Sequence, residues 1–324
     1  MKRNAILIVI LIISMSARTR AEDPVFFADP YLEDIVESQL GPDPTPTDML
    51  DLVYLDAFAC GILHLGGLEY AVNLVYLDLG SNWISDISTI SGCADLRWLY
   101  LDNNFISNIP YLSGLTGLEI LSLDENTVGD ISALGPLTNL RTLWLYHNQV
   151  NDISALATLT NLTELDLDEN NISDISALGS LTGLEYLWLY NNQIVDIFPL
   201  APLVNLIELD LGYNEISDIY AIALLTHLEL LCLDENPLNT PAYCTYLTLI
   251  EANNPLTTEL RYDPNPNPFT SDCSTDMTEL GQWCALWLET ACASSNNFCS
   301  GADLNHVGGV TLADFAQFAR LWLR

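Results

Sequence analysis

Aromatic and acidic residues that could bind a ligand recur in the middle of the chain at places set by a 22-residue period. The set comprises Trp98, Tyr100, Asp124, Trp144, Tyr146, Asp166, Asp168, Tyr186, Trp188, Tyr190 and Asp210. Aromatic rings attract cations through their faces or stack on sugars, and carboxylates beside them suit either ligand. Because exposed tryptophans are costly unless a partner covers them, we predict a binding surface. There are two alternatives. The rings could form cross-strand pairs that stiffen a sheet, or the alternation could remain from duplication of two repeats at a time.

Residue types used in catalysis are present, but their spacing does not indicate an active site. The histidines His64, His147, His227 and His306 are scattered through the sequence. His147 is predicted to face outward, with Glu169 one period later, yet no nucleophile is signalled near this pair. The HExxH, GxSxG and phosphate-loop patterns are absent from the sequence. We therefore predict a protein that is not an enzyme and has no catalytic residues.

A strict repeat predicts the elements that position the aromatic and acidic set. Leucine opens each copy, at Leu52, Leu74, Leu96, Leu118, Leu140, Leu162, Leu184, Leu206 and Leu228. Counted from this leucine, apolar residues recur at positions 1, 4, 6, 11, 14, 17 and 20, and the alternation around positions 3 to 7 predicts a short strand. Stacked copies would form a parallel sheet. Since side chains alternate along a strand, positions 3, 5 and 7 should point outward.

Two polar positions of the repeat have a structural interpretation. Position 9 is asparagine at Asn82, Asn104, Asn126, Asn148, Asn170, Asn192, Asn214 and Asn236. A side-chain amide both donates and accepts hydrogen bonds, so this ladder can satisfy the backbone where the chain leaves the sheet. Cys60 takes this position in the first copy and is predicted to be a buried ladder residue, while Cys93 is predicted to be core. Aspartate at position 13, as in Asp86 and Asp130, is predicted to cap the turn behind the sheet.

The phrase LxxLxLxxNxI, followed by SDIS and a second leucine stretch, resembles the internalin-type leucine-rich repeat of bacteria over Leu52 to about Leu238. The resemblance implies an α/β solenoid, a curved rod with a parallel β-sheet on its concave face. It also implies binding of other macromolecules and no enzymatic activity of this domain. The predicted binding residues would then lie on the concave face.

The first segment and the charge of the chain both bear on its location and partners. In residues 1–21, Lys2 and Arg3 precede a short apolar run, which predicts a signal peptide, with a membrane-anchoring helix as the alternative. After Ala21 the chain holds 43 acidic residues and five arginines, a net charge of −38. This charge argues against nucleic acid or an anionic membrane surface as a partner. It favours a cationic partner, divalent cations or a salty environment, or simply a solvated acidic surface. We expect a secreted or cell-surface-associated protein without a membrane span.

The repeats are flanked by segments of different composition. Residues 22–51 are predicted to be an N-terminal helical cap, with Asp29 as the N-cap, Pro30 as the first helical residue and Gly41 at the end. The other predicted segments are the leucine-rich repeats over 52–238, a C-terminal cap over 239–262, a Pro/Asn linker over 263–272 and a separate module over 273–324.

Residues 273–324 contain two similar helical segments, and the second follows a loop that resembles the dockerin repeat, a relative of the EF-hand calcium loop. The resemblance implies a small α-helical dockerin-like domain, calcium ligation by Asp303, Asn305 and Asp314, and attachment to a cohesin-like partner. Val307 stands where the family has an acidic ligand, which lowers the expected affinity for calcium. Apart from calcium, no cofactor is predicted.

These features together predict a secreted, non-catalytic, protein-binding leucine-rich repeat protein. It would recognise an extracellular protein through the concave face and be attached through the C-terminal module. The alternative is a carbohydrate-binding or scaffold-associated subunit of an extracellular polysaccharide-degrading assembly, in which the aromatic rows stack on a glycan.

Overall fold

The repeats form one parallel sheet in the computed structural model, which describes residues 22–254 and 259–263. Each strand has three residues: β1 is Tyr54–Asp56, β2 Tyr76–Asp78, β3 Trp98–Tyr100, β4 Ile120–Ser122, β5 Thr142–Trp144, β6 Glu164–Asp166, β7 Tyr186–Trp188, β8 Glu208–Asp210, β9 Leu230–Cys232 and β10 Glu259–Arg261. The strands follow one another across the sheet in chain order. This confirms the leucine-rich repeat solenoid.

Several predictions concern residues outside this described part of the chain. They are the signal peptide over 1–21 and the features of residues 264–324, which hold most of the predicted linker and the whole dockerin-like module. The calcium ligands Asp303, Asn305 and Asp314 belong to that module. The calcium site, the cohesin-like attachment and the domain boundaries therefore stay predictions.

The register places equivalent positions of successive repeats side by side. Leu77 pairs with Leu99, and Trp144 pairs with Asp166, in each case one period apart. The apolar positions point inward, and the leucines at positions 4 and 6, such as Leu99 and Leu101, are fully buried. Each buried leucine contributes roughly 1.5–3 kcal/mol relative to an exposed one. The continuous apolar core is therefore the main source of stability, and it holds each strand at a fixed register.

A short 3-10 helix forms the return segment behind the sheet. These helices span Asp48–Asp51, Leu68–Tyr70, Ser88–Gly92, Pro110–Gly114, Ser132–Leu134, Ser154–Thr158, Ser176–Ser180, Phe198–Leu200 and Tyr220–Ile222. In six repeats, the aspartate at position 13 accepts a hydrogen bond of 2.8–2.9 Å from the backbone N–H two residues later, as Asp86 does from Ser88. The predicted turn-capping role of these aspartates is confirmed.

The position-9 asparagines form the predicted ladder. In the example of Asn104, Oδ1 accepts a hydrogen bond from the N–H of Ile84 at 2.9 Å, and Nδ2 donates to the carbonyls of Leu79 and Leu101 at 2.9 and 3.1 Å. The same arrangement recurs as far as Asn236. The residue before each ladder position has a left-handed φ of 50–56°. Such a backbone is disfavoured for residues other than glycine, and the buried hydrogen bonds of the ladder hold it in place.

Cys60 does not act as a buried ladder residue, and this part of the prediction is wrong. Its side chain is only half buried, and its Sγ lies 3.3 Å from the carbonyl of Phe58 within the same repeat. A thiol has no amide group that both donates and accepts strongly, so it cannot replace asparagine between two repeats. Cys93 is fully buried, as predicted.

An α-helix lies before the first repeat. Helix α1 spans Pro30–Leu40 and begins at the predicted N-cap, Asp29. One carboxylate oxygen of Asp29 accepts the N–H of Tyr31 at 3.0 Å, and the other accepts the N–H of Leu63 at 2.7 Å. Burial raises the pKa of Asp29, but these N–H groups and that of His64 outweigh it, so the pKa is lowered. Asp29 therefore joins the cap to the first repeat.

The other end of the sheet is closed by a helical turn and one further strand. A π-helical turn, Ala242–Tyr246, leads into helix α2, Leu247–Asn253. Strand β10 then pairs with β9, which the loss of the repeat pattern after Pro237 does not predict. Among the residues that the structure describes, no helix is long and apolar enough to cross a membrane.

Candidate binding face

The side chains at positions 3, 5 and 7 make up the outer surface of the sheet, which we name the open sheet face. All of the predicted binding residues lie on it, between the repeats of β3 and β8. Every one of them is half buried, because side chains from the neighbouring repeats pack against it. Their sites are therefore part of a continuous surface rather than isolated projecting rings.

Four rings follow one another across the open sheet face from β1 to β5, and we name them the aromatic track. They are Tyr54, Tyr76, Tyr100 and Trp144, with successive centroid distances of 4.5, 5.7 and 6.5 Å. Tyr54 and Tyr76 are stacked at 14°, whereas Tyr100 and Trp144 are inclined at 40°. Tyr100 and Trp144 are among the residues predicted from the sequence. Tyr54 and Tyr76 are not, although they occupy position 3 of the same repeat pattern.

The remaining predicted rings form separate contacts. Tyr186 and Trp188 lie 6.1 Å apart, and Tyr190 contacts Tyr213 at 5.1 Å. The register places Asp166 between Trp144 and Trp188, which separates this group from the aromatic track. The predicted residues thus share one face, but they do not form one cluster.

An exposed pair of stacked rings lies beside the asparagine ladder and was not predicted from the sequence. Trp83 and Phe105 are 60% and 55% exposed, and their rings are stacked with centroids 5.8 Å apart. Both occupy position 10, directly after the asparagine ladder. Most later copies hold polar residues there, including Gln149, Asn171 and Gln193. The contrast between aromatic and polar residues at position 10 of successive repeats could have indicated this pair.

The aspartates of the open sheet face cap a backbone N–H group that the sheet leaves without a strand partner. The N–H at position 7 donates to the position-5 aspartate of the same repeat at Asp56, Asp78, Asp166 and Asp210, over 2.9–3.2 Å. Where position 5 is tryptophan, the position-7 aspartate of the preceding repeat replaces it. Asp124 accepts from Tyr146 at 2.8 Å and Asp168 from Tyr190 at 2.5 Å. The alternation of acidic and aromatic rows therefore has a structural component.

Burial between repeats changes the charge of these aspartates. It raises the pKa of Asp124 to about 7, of Asp166 to about 6 and of Asp168 to about 8. Neighbouring carboxylates add to the effect; for Asp124, these are chiefly Asp166 and also Asp102 and Glu125. The open sheet face consequently carries less negative charge near pH 7 than its composition suggests.

The predicted neighbours His147 and Glu169 do meet. Nδ1 of His147 lies 2.8 Å from a carboxylate oxygen of Glu169, and both residues are at the surface. An exposed pair of this kind contributes little to stability. In the described ranges, no group of three or more His, Cys, Asp or Glu residues is arranged to hold a metal ion.

A shallow depression of about 240 Å³ lies on the open sheet face beside the last two rings of the aromatic track. Tyr100 and Trp144 line it on the aromatic side, and Asp102, Asp124 and Glu125 contribute carboxylates. Trp144 is held in place by its Nε1–H, which donates to Glu164 at 2.8 Å. The depression therefore combines fixed rings with several acidic groups.

Comparison with known proteins identifies the repeats and their structural relatives. The family "Leucine Rich repeats (2 copies)" matches residues 72–114, 94–136, 116–158, 138–178 and 160–203, and the family "Leucine Rich repeat" matches 204–225. Internalin C2 of Listeria monocytogenes is 34% identical over 67% of this chain and 100% of that chain, with a TM-score of 0.63. Internalin InlF of the same organism is 28% identical over 76% of this chain and 79% of its own, also with a TM-score of 0.63. No match is found among curated proteins.

A leucine-rich repeat protein of Leptospira interrogans is also similar, at 25% identity, with a TM-score of 0.50 and coverage of 63% of this chain and 58% of that one. The family matches and the full coverage of internalin C2 agree with the strand register and the asparagine ladder. The chain belongs to the leucine-rich repeat proteins of the internalin type.

Proposed function

We propose that this protein is a non-catalytic binding protein that recognises a protein partner through the open sheet face. The observation that carries the proposal is the aromatic track, which crosses five repeats beside rows of carboxylates on a rigid sheet. Leucine-rich repeat proteins generally bind proteins, which supports the same function. Aromatic side chains supply most of the binding energy at many protein interfaces.

The charge of the open sheet face defines the chemistry of the partner. From β1 to β9, positions 3, 5 and 7 contain no lysine or arginine, while aspartate or glutamate occurs there in every repeat except that of β5 and that of β7. A partner that presents basic and apolar groups would be complementary to this surface. Even with part of the aspartates protonated, the face remains acidic.

The test begins with capture of partners from the native extracellular fluid, followed by titration calorimetry with each purified candidate. Trp144→Ala and Trp188→Ala are expected to weaken binding at least tenfold while circular dichroism shows an intact fold. Phe198→Ala is the matched control, because Phe198 is 68% exposed in a 3-10 helix behind the sheet. Loss of binding in the Phe198 variant, with binding intact in both tryptophan variants, would place recognition on the helical side and contradict the proposal.

The geometry of the rings favours a protein over a glycan. Tyr54 and Tyr76 stack on each other with centroids 4.5 Å apart, so one face of each ring is already covered and unavailable to a sugar. The carbohydrate-binding alternative predicts a signal on a glycan array that Tyr54→Ala or Trp188→Ala abolishes. We expect no such signal.

We further propose that the protein is exported and attached through its C-terminal segment. The apolar run within residues 1–21 and the dockerin-like loop support this, and both lie outside the described residues. Asp303, Asn305 and Asp314 would hold calcium through oxygen ligands. Calorimetry of the whole chain with calcium should give heat that Asp303→Ala removes, and absence of heat in the unaltered protein would contradict calcium-dependent attachment.

A further inference from the structure

The aromatic track has one gap, in the repeat of β4. This repeat presents Ser122 at position 5, where both neighbouring repeats present rings, Tyr100 and Trp144. Tyr100 and Trp144 are therefore two repeats apart, yet their centroids are only 6.5 Å from each other. The rings approach across the small side chain of Ser122, which is 2% exposed.

The gap is the depression of about 240 Å³, and its size limits the ligand. Its volume is below the roughly 300–1,000 Å³ of pockets that enclose small molecules. It can hold one long side chain of a partner. Tyr100 and Trp144, whose ring planes are inclined at 40°, form its aromatic wall.

The carboxylates beside these two rings have no cationic partner among the residues that the structure describes. Asp102, Asp124 and Glu125 line the depression, and the salt bridges of the described residues involve none of them. Arg97, the arginine next to β3, pairs instead with Glu119 at 2.5 Å. An incoming cation would meet carboxyl groups that no cation of the described residues neutralises, and its own charge would favour their ionised form.

Among cations, a guanidinium fits these walls best. Its planar group stacks on aromatic rings, and its N–H groups are arranged in a fork that matches carboxylates. One oxygen of Asp124 is already bound by the N–H of Tyr146 at 2.8 Å, which fixes the carboxylate and leaves its second oxygen for a ligand. A calcium ion would require six to eight oxygen ligands, and no such group is present in the described residues.

We infer that the depression over Ser122 receives an arginine side chain of the protein partner. Its guanidinium would lie against Tyr100 and Trp144, and its N–H groups would donate to Asp102 and Asp124. The inference rests on the proposed function, because it assigns one contact within the proposed interface. The open sheet face would then recognise a partner with an exposed arginine at the matching place.

The test uses N-acetyl-arginine amide as the probe and the isosteric, neutral N-acetyl-citrulline amide as its control. The full chain is labelled with 5-fluorotryptophan, and the fluorine resonance of Trp144 is identified from its loss in Trp144→Phe. We expect a saturable shift of this resonance with the arginine probe, and at least tenfold weaker apparent binding of the citrulline probe. Equal shifts with both probes, or no shift with either, would overturn the inference.

Two variants separate a specific site from general attraction. Asp124→Asn retains the acceptor for the N–H of Tyr146 but removes the charge. It should weaken binding of the arginine probe at least fivefold. Asp174→Asn makes the same change behind the sheet, where the carboxylate caps the N–H of Ser176, and should leave binding unchanged. Equal weakening by both variants would show diffuse attraction and overturn the inference. Ser122→Leu, once circular dichroism shows it folded, should block the probe by filling the gap.

The outcomes also distinguish this inference from the proposed function. If a captured partner depends on Trp188 but not on Asp124, and the arginine probe causes no shift, the interface stands and the arginine site does not. If the probe binds as expected but sheet-face variants leave every captured partner unaffected, the arginine-binding site stands and the proposed protein interface does not.

Discussion

The carboxylate of Asp124 accepts a hydrogen bond of 2.8 Å from the backbone N–H of Tyr146 in the next repeat. In four repeats this N–H is capped from within the repeat, by an aspartate at position 5, but position 5 of this repeat is Trp144. A tryptophan can occupy the sheet face here because the preceding repeat supplies the missing acceptor. Binding surface and backbone stability are thus linked through one residue.

This relationship predicts a difference between two variants of Asp124. Asp124→Ala should lower the free energy of unfolding by about 1–3 kcal/mol, since the N–H of Tyr146 loses its acceptor in a half-buried place. Asp124→Asn should cost less than about 1 kcal/mol, because the amide oxygen can still accept. Urea denaturation at pH 8 measures both, with Glu125→Ala as an exposed neighbouring control. Equal losses for Ala and Asn would show that the cap does not matter.

The raised pKa values predict that the protein is more stable at mildly acidic pH than at pH 8. In the folded chain, Asp124 has a pKa of about 7 and Asp168 a pKa of about 8, so both keep their protons well above pH 4. In the unfolded chain, an aspartate releases its proton at a pKa of about 3.9. The folded state therefore binds more protons over this range, so the free energy of unfolding falls as the pH rises. Asp166, with a pKa of about 6, acts in the same direction.

Below about pH 4, the pH dependence of stability is set instead by aspartates whose pKa is lowered in the folded protein. The N–H of Ser88 lowers the pKa of Asp86, and that of Ser132 lowers the pKa of Asp130, so their stabilisation is lost as the pH falls through these lowered values. Urea titrations from pH 3 to pH 9 should show a maximum at about pH 4–5. Asp124→Asn combined with Asp168→Asn should flatten the decline above this maximum. A decline of unchanged slope in the double variant would contradict the assignment.

Most of the fold could be predicted from the sequence, because each structural requirement recurs at one position of the repeat. Inward leucines specify the strand register, and the two-way hydrogen bonding of an amide explains the asparagine column. The exposed pair Trp83 and Phe105 was missed because exposure depends on how much neighbouring repeats cover a position. The cap from Asp124 to Tyr146 was missed because it joins different positions of two repeats, which a comparison of equivalent positions does not reveal.

The asparagine ladder predicts a large and local cost for Asn148→Ala. This change leaves the N–H of Val128 and the carbonyl of Leu123, which Asn148 contacts at 2.9 Å each, buried without that partner. We expect a loss of about 2–4 kcal/mol, since an unmade buried hydrogen bond costs about 1–3 kcal/mol for each group. The control is Asn151→Ala, an exposed asparagine three residues later, which should change stability by less than about 0.5 kcal/mol. Similar losses in both variants would refute a special function of the ladder.

The different exposure of Trp83 and Trp144 predicts that their substitutions separate stability from binding. Trp83→Ala removes a ring that is 60% exposed and loses mainly its stacking on Phe105, so its cost should be about 0.5–1.5 kcal/mol. Trp144 is half buried and also donates to Glu164, so Trp144→Ala should cost about 2–3 kcal/mol. Thermal denaturation ranks the two variants, and calorimetry with the captured partner measures binding. If Trp83→Ala is the more destabilising change, the exposed pair supports the fold rather than recognition. If Trp83→Ala leaves the fold stable and weakens binding of the partner at least fivefold, the interface extends past the asparagine ladder to position 10. The ring is largely exposed to solvent, so its loss would then affect binding through direct contact with the partner.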